Sequence, residues 1–275
     1  MDGIIVGANR TQEWMLPWWW LHYRLHNSHP VAFLDFGMSE EAKEWCQERG
    51  RCIALEVSED FIARKEEIDP FTALMWDGFY RGGNFWPARL GWFKKPLALR
   101  QTPFQRTLWI DLDCQIRADL SSLFATCQNP AGVALVRDRE PDAINRDLDF
   151  GLIFPDETVY NSGVIVYDQE SPIIAEFASR ALTDNREFLG DQHLLSRILY
   201  EQQLPFTELP RRYNLWQWEK PREGTAIYHW VNTGGKEAVR KSLSALNPLF
   251  LNQLSLSTHA ALDIYKTLHD HCRPK

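Results

Sequence analysis

Short apolar runs alternate with amphipathic stretches along the first third of the chain. Three runs have the length of a strand rather than of a buried helix, and they cover residues 3–8, 31–36 and 52–57. After the first run, Trp14, Trp18 and Leu21 recur at helical spacing, and Pro17 is expected to start or to kink that helix. The segment 39–50 begins with an N-capping serine and ends at a glycine, which predicts a second helix.

The same alternation continues through the rest of the chain. Further strands are predicted at residues 108–110, 132–136, 162–167 and 225–230, and further helices at 172–184, 191–200 and 256–271. The charged segment 137–160 is interpreted as a loop, and the aromatic segment 73–99 does not indicate one type of element. Strands that alternate with helices predict an α/β fold with a mostly parallel, doubly wound central sheet. Neither a repeat nor a linker divides the sequence, which predicts a single domain over residues 1–275.

Composition narrows the functional classes. The chain of 275 residues has a formal net charge of −7, which argues against a nucleic-acid partner because phosphate binding needs clustered Lys and Arg. No apolar run reaches the ~18 residues of a membrane span, and the N-terminus lacks the basic and apolar regions of a signal peptide. The five cysteines are odd in number and scattered, as in proteins with reduced thiols. These features together predict a cytoplasmic protein without a transmembrane segment.

Two carboxylates at the end of one apolar strand are the first candidates for chemistry. Residues 108–110 predict a buried strand that runs into Asp111 and Asp113, and strand geometry would point both side chains the same way. Open α/β sheets bind ligands at this edge, and paired carboxylates suit Mg²⁺ or Mn²⁺. The alternative is that both residues cap the following turn. A second D-x-D, Asp147 and Asp149, follows no predicted strand and is interpreted as a solvated loop.

Five segments in a fixed order resemble one enzyme family. RTLWIDLDCQIRADLSSLF (106–124) resembles the D-x-D strand and following turn of the GT-A-fold glycosyltransferases, in particular the retaining enzymes of glycosyltransferase family eight. The other four segments are FLDFGMSEE (33–41), YNSGVIVYD (160–168), GDQHLLSRIL (190–199) and IYHWVNTGGK (227–236). The resemblance implies one GT-A-type, Rossmann-like domain with the D-x-D at the end of a central strand. Its parts would be a nucleotide-binding half (1–125), an acceptor and catalytic half (126–250) and a C-terminal helix (251–275).

The resemblance also implies a divalent metal, Mn²⁺ or Mg²⁺, that holds the diphosphate of a nucleotide sugar. Its ligands would be Asp111, Asp113 and His229. A metal between the two carboxylates would neutralise them and then the leaving nucleoside diphosphate. Without a metal, a single late histidine is more often a packed or surface residue.

The remaining site residues follow from the same resemblance. Asp191 would bond sugar hydroxyls or cap its helix, Gln192 would lie near the reacting carbon, and Asn161 near the sugar or the acceptor, so these three are the catalytic candidates. The donor-binding candidates, besides the two D-x-D carboxylates, are Ala8, Asn9, Arg10, Lys94, Leu112, Ser162, Gly234 and Lys236. Lys94 stands where the family has an arginine. Trp14 either replaces the family's base-stacking tyrosine or belongs to the core.

The predicted function is that of a metal-dependent hexosyltransferase. It would move a sugar from a nucleotide donor, UDP-linked by resemblance, to a glycan or other hydroxyl acceptor with retention of configuration. Candidate acceptor platforms among the twelve tryptophans are Trp76, Trp86, Trp92, Trp216 and Trp218. One rival is a sugar-phosphate nucleotidyltransferase, which would need a glycine-rich phosphate loop where VGANRTQEW has one glycine. The other is a non-catalytic protein that binds carbohydrates or nucleotide sugars on the same scaffold.

Overall fold

The computed structural model describes residues 1–80, 85–138 and 142–244. The strands in these ranges are β1 (Asp2–Ala8), β2 (Val31–Asp35), β3 (Arg51–Ala54), β4 (Arg106–Ile110), β5 (Cys114–Ile116), β6 (Val133–Arg137), β7 (Tyr160–Asp168), β8 (Thr207–Leu209), β9 (Leu215–Trp216) and β10 (Ile227–His229). The α-helices are α1 (Leu16–Arg24), α2 (Glu40–Gln47), α3 (Pro70–Phe79), α4 (Trp86–Leu99), α5 (Asp142–Asp149), α6 (Pro172–Thr183), α7 (Asp191–Gln202) and α8 (Asn232–Ser244). Every strand predicted from an apolar run is present, with its ends shifted by a few residues.

Seven strands form the central sheet, in the order β3-β2-β1-β4-β7-β6-β8. Strand β7 is antiparallel to both of its neighbours, and the other ladders of this sheet are parallel. The prediction of a mostly parallel sheet is therefore confirmed. Ile4 of β1 is paired with Val31 on one side and with Leu108 on the other, so the carboxyl ends of β1, β2 and β4 share one edge.

Both faces of the central sheet are buried. Ile4 and Val6 of β1 pack with residues of α1 in one hydrophobic cluster, whereas Ile5 packs with residues of α4, α6 and α7 in another. Leu108 and Trp109 of β4 divide between the two clusters in the same way. A strand that is covered on both sides needs apolar residues at successive positions, which explains why continuous runs mark these strands in the sequence.

A second sheet has three short strands in the order β5-β10-β9, and its strand β5 directly follows the D-x-D segment in the chain. Strand β10 is antiparallel to β5, with His229 opposite Cys114, and parallel to β9. The strand predicted at 225–230 is confirmed in shorter form, whereas β5 and β9 are too short to give a periodic signal. This small sheet brings the late histidine to the D-x-D turn.

The interpretation of the charged segment 137–160 as a loop is wrong in its centre, where α5 forms. Asp147 of this helix is buried, and its carboxylate lies 3.6 Å from Nε2 of His193. The second D-x-D is therefore not a solvated loop. Its helix has few apolar residues and packs instead through the Arg146 guanidinium, which lies 3.8 Å from the centre of the Phe79 ring.

The remaining predictions concern segment 73–99, Pro17 and the last predicted helix. Segment 73–99, which gave no assignment, contains most of α3 and all of α4. Pro17 lies in the first turn of α1, as predicted. The helix predicted at 256–271 lies outside the described residues. Within the described ranges, the helices are too short or too polar to cross a lipid bilayer.

Candidate active site

The polar residues named from the sequence meet where β4, β7 and β10 come together. Asp111 directly follows β4, and its backbone N–H donates to the carbonyl of Gly163 in β7 at 2.8 Å. The carbonyl of Asp113 accepts from the backbone N–H of Trp230, which directly follows β10. These two backbone contacts fix the D-x-D turn between the two sheets.

Asp113 is the anionic centre of the first group. Its Oδ1 lies 3.1 Å from Nε2 of His229, and its Oδ2 accepts from the Lys236 ammonium at 2.8 Å. Asp113 is only 8% exposed. Burial alone would raise the pKa of this carboxyl, but the Lys236 ammonium beside it holds the pKa well below its usual value. Asp113 is thus a fully charged carboxylate held beside an imidazole and an ammonium.

Asp111 belongs to a second group around a buried lysine. The Lys95 ammonium lies 3.1 Å from Oδ1 of Asp111 and 3.1 Å from Oδ2 of Asp191, at the start of α7. It also donates to the Oγ of Ser162 at 3.1 Å and to its carbonyl at 3.2 Å. Burial lowers the pKa of Lys95, but the two carboxylates outweigh this effect and raise the pKa above its usual value. The two D-x-D carboxylates therefore face different cations.

The two neighbouring lysines of α4 have different surroundings. The Lys94 ammonium donates to the carbonyl of Phe36, after the end of β2, at 3.1 Å. It is Lys95 that contacts Asp111 and Asp191, and the sequence motif did not identify this residue. Adjacent residues of a helix point about 100° apart, so a motif match that is uncertain by one position cannot select the correct side chain.

The three catalytic candidates are linked through side-chain contacts. Asn161 donates through Nδ2 to Oε1 of Gln192 at 2.9 Å, and Nε2 of Gln192 donates to the Asp138 carboxylate. Asp191 precedes Gln192 and pairs with Lys95. The Gln192 amide is thus held between two partners, one of which, Asp138, borders a cavity.

That cavity has a volume of about 590 Å³ and is lined in part by Asp138, Arg211 and Trp218. Trp218 is 44% exposed, so one aromatic face is accessible. Trp76, in contrast, is buried in a hydrophobic cluster and cannot serve as an acceptor platform. Among the proposed platforms, Trp218 thus combines exposure with a position beside the site.

The predicted base-binding turn follows β1. The carbonyl of Ala8 accepts from the N–H of Phe36, and the N–H of Arg10 donates to the carbonyl of Gly37, both at 2.9 Å. Asn9 Oδ1 accepts from the N–H and the hydroxyl of Thr11, so its side chain stabilises the turn. These contacts place the turn at the same edge of the sheet as the D-x-D.

Two further donor-binding candidates lie outside this turn. Leu112 is buried, and Gly234 donates its N–H to Oδ1 of Asn232 at 2.9 Å.

Three potential metal ligands converge at this edge. One ligand atom each from Asp113, Cys114 and His229 lies within 4.8 Å of the other two. A carboxylate and an imidazole fit a divalent cation such as Mn²⁺. Burial and the neighbouring Asp113 raise the pKa of the Cys114 thiol well above its usual value, so the thiol is neutral. Asp111 is not a member of this cluster, and its role as a ligand stays a prediction.

The Gly163→Ala substitution tests how closely the histidine must approach β7. A Cβ at position 163 would lie 2.4 Å from Cε1 of His229, which is too close for any real contact. We expect the imidazole to be displaced and the affinity for Mn²⁺ to fall about tenfold or more, measured by electron paramagnetic resonance. Gly91→Ala is the matched control, since its Cβ would meet its nearest neighbour only at 4.0 Å. Unchanged affinity in Gly163→Ala would exclude His229 as a ligand.

Fold similarity agrees with the motifs. No protein-family model matches the chain, and no curated protein matches it in sequence. In structure it is similar to the galactosyltransferase LgtC in complex with donor and acceptor sugar analogues, with a TM-score of 0.60 and 15% identity over 90% of this chain and 96% of that one. It is also similar to apo mouse xyloside xylosyltransferase 1 (TM-score 0.52, 16% identity, 86% and 99% covered) and to the glycosyltransferase GlyE of Streptococcus pneumoniae TIGR4 (0.57, 14%, 97% and 64%). The chain therefore has the GT-A fold that its motifs predicted.

Proposed function

We propose that the protein is a glycosyltransferase that transfers a sugar from a UDP-linked donor to an acceptor hydroxyl, with retention and with Mn²⁺ or Mg²⁺ as cofactor. The observation that carries the proposal is the convergence of Asp113, His229 and Lys236 at the ligand-binding edge of a GT-A sheet. A buried carboxylate that faces an imidazole and a partly exposed ammonium combines a cation site with a phosphate-binding group.

Asp113 and His229 would hold the metal, with Asp111 as a second carboxylate. A bound divalent cation supplies Lewis-acid stabilisation of the leaving diphosphate. The Lys236 side chain is 32% exposed, while the Asp113 carboxylate beneath it is 11% exposed. The side chain is thus partly exposed, and its ammonium would donate to a phosphate oxygen of the donor.

The other polar groups favour a reaction without an enzyme nucleophile. Asp191 is paired with Lys95, and Gln192 is held by Asn161 and Asp138. A carboxylate engaged by an ammonium is a poor nucleophile, so these groups suit orientation of the sugar better than covalent attack. Catalysis would then depend on positioning and on stabilisation of charge. The cavity beside Asp138 and Trp218 has a volume suited to a sugar acceptor.

The first test is thermal unfolding with UDP in the presence and absence of Mn²⁺. A ligand at ~100 times its dissociation constant stabilises the folded state by about 2.7 kcal/mol. For a chain of this size we expect the midpoint to rise by about 5 °C. The shift should require both ligands and should be smaller with Mg²⁺ or Ca²⁺ if the imidazole is a ligand, because a nitrogen donor favours Mn²⁺ over these harder cations.

Further assays separate the three functional classes. Release of UDP from UDP-galactose, UDP-glucose or UDP-xylose that depends on an added acceptor sugar would establish transfer. A midpoint shift without UDP release from any donor would favour the non-catalytic binding protein. Pyrophosphate formation from UTP and a sugar 1-phosphate would instead establish a nucleotidyltransferase. Absence of any shift with UDP or other nucleoside diphosphates would contradict the proposal.

A further inference from the structure

A buried chain of hydrogen bonds leads from the backbone of β7 to the imidazole of His229. The N–H of Gly163 donates to Oδ1 of Asn161 at 2.9 Å, and Nδ2 of Asn214 donates to the same oxygen at 2.6 Å. Asn214 is completely buried, and its Oδ1 lies 2.9 Å from Nδ1 of His229. The sequence motifs did not identify Asn214, which precedes the short strand β9.

The first member of this chain fixes the direction of every hydrogen bond that follows. A backbone N–H can only donate, so the Asn161 atom that faces it is the amide oxygen. An oxygen at this place requires the NH₂ group of Asn214, which therefore turns its own oxygen towards His229. Because that oxygen can only accept, Nδ1 of His229 carries a hydrogen.

A hydrogen on Nδ1 determines the state of the other ring nitrogen of His229, Nε2. In a neutral imidazole with Nδ1–H, Nε2 carries a lone pair, and Nε2 is the atom that lies 3.1 Å from the Asp113 carboxylate. A lone pair and a carboxylate oxygen repel each other unless a proton or a metal ion lies between them, and at alkaline pH the proton is lost. We infer that Asn214 is a positioning residue that holds His229 as the Nδ1–H tautomer and so presents Nε2 to a divalent cation. The identity of that cation as the cofactor rests on the proposed function.

Packing fixes the ring as well as its tautomer. The position of a Cβ at Gly163 would overlap Cε1 and Nδ1 of His229, so the ring lies directly against the backbone of β7. Rotation of the ring would separate Nδ1 from Asn214. Residues that orient a metal-binding histidine through its second nitrogen typically change metal affinity by about 10- to 100-fold when they are replaced.

The test reads the tautomer directly, by two-bond ¹H–¹⁵N correlation spectra of the metal-free protein at alkaline pH. The His229 signals are assigned by their loss in His229→Gln. We expect Nδ1–H in the wild type. In Asn214→Leu, which keeps the branched shape but removes the acceptor, we expect a shift towards Nε2–H and a 10- to 100-fold loss of Mn²⁺ affinity. Asn214→Asp loses the hydrogen bond to Asn161 but keeps an oxygen towards His229, and should therefore retain the Nδ1–H form.

The ranking of the two variants separates positioning from packing. If Asn214 served only to fill the interior, Asn214→Leu would lower the free energy of unfolding less than Asn214→Asp, which buries a carboxylate. Neither variant would then change the tautomer of His229. An Nε2–H tautomer in the wild type, or the same tautomer in Asn214→Leu, would overturn the inference. The wild-type spectrum alone decides if a variant does not fold. A wild type that is Nδ1–H but binds neither Mn²⁺ nor UDP would refute the proposed function and leave the tautomer assignment intact.

Discussion

Asp113→Asn is expected to lower the affinity for Mn²⁺, and for UDP in its presence, on the order of 10²–10³-fold. The amide keeps the volume of the side chain but removes the charge shared by His229 and Lys236. Loss of one partner from a buried charged group costs about 3–5 kcal/mol, because the other partners are left uncompensated. Mn²⁺ binding can be measured by electron paramagnetic resonance and UDP binding by calorimetry, so the result does not depend on a known acceptor.

Asp119→Asn is the control from the same segment of the chain. Asp119 is exposed, and its Oδ1 accepts from the N–H and the hydroxyl of Ser121 at 3.1 and 2.7 Å. Asparagine keeps an acceptor for this turn, so we expect both affinities to equal those of the wild type. Equal losses in the two variants would indicate a general effect of net charge. Full Mn²⁺ affinity in Asp113→Asn would exclude Asp113 from the metal site.

The sequence predicted six of the seven strands of the central sheet because of how those strands are buried, whereas the three-residue edge strand β8 was not predicted. Residues of β1, β4 and β7 alternate between two hydrophobic clusters, so several consecutive positions in each strand are apolar and the runs stand out. The strands β5 and β9 have three and two residues, and such lengths carry no periodicity. Helix α5 was not predicted because it has eight residues, in which Ile144 and Leu148 form an apolar pattern too short to stand out among the charges.

Residues of the candidate site were predicted only where they match a sequence motif. Asp113, His229 and Lys236 were named from motifs and are in contact. Lys95 and Asn214 were missed because their positions depend on the rotation of α4 and on a turn before β9, which no local pattern encodes. Cys114 lies opposite His229 in the pairing of β5 with β10. That pairing is visible only in the folded chain, so no signal in the sequence marked Cys114.

The balance of charge explains why cation and donor should bind together. Three carboxylates, Asp111, Asp113 and Asp191, face two ammonium groups, Lys95 and Lys236, which leaves a net charge of −1 when His229 is neutral. A diphosphate would be repelled by this excess of negative charge. A divalent cation reverses the sign to +1, which favours the anionic donor. We therefore expect UDP affinity to depend steeply on the divalent cation.

Lys95→Met is expected to lower the free energy of unfolding by about 3–5 kcal/mol, measured by urea denaturation. Lys95 is the ammonium shared by Asp111 and Asp191, and methionine fills its space without the charge. The carboxylates would then repel each other in a buried region. Adding Asp191→Asn should restore part of the loss, because it removes one of the two charges; the two substitutions in contact should be non-additive.

Lys94→Met is the matched control, since it removes an adjacent ammonium from the same helix. Lys94 donates to the carbonyl of Phe36, whereas Lys95 contacts Asp111 and Asp191. A loss of stability confined to Lys95→Met would assign the charge-compensating role to Lys95. Lys94→Met could still weaken UDP binding, because Phe36 lies at the sheet edge beside the predicted base-binding turn. The free energy of unfolding would then identify Lys95 as the lysine that compensates the carboxylates. The affinity for UDP would identify Lys94 as the lysine that contacts the donor.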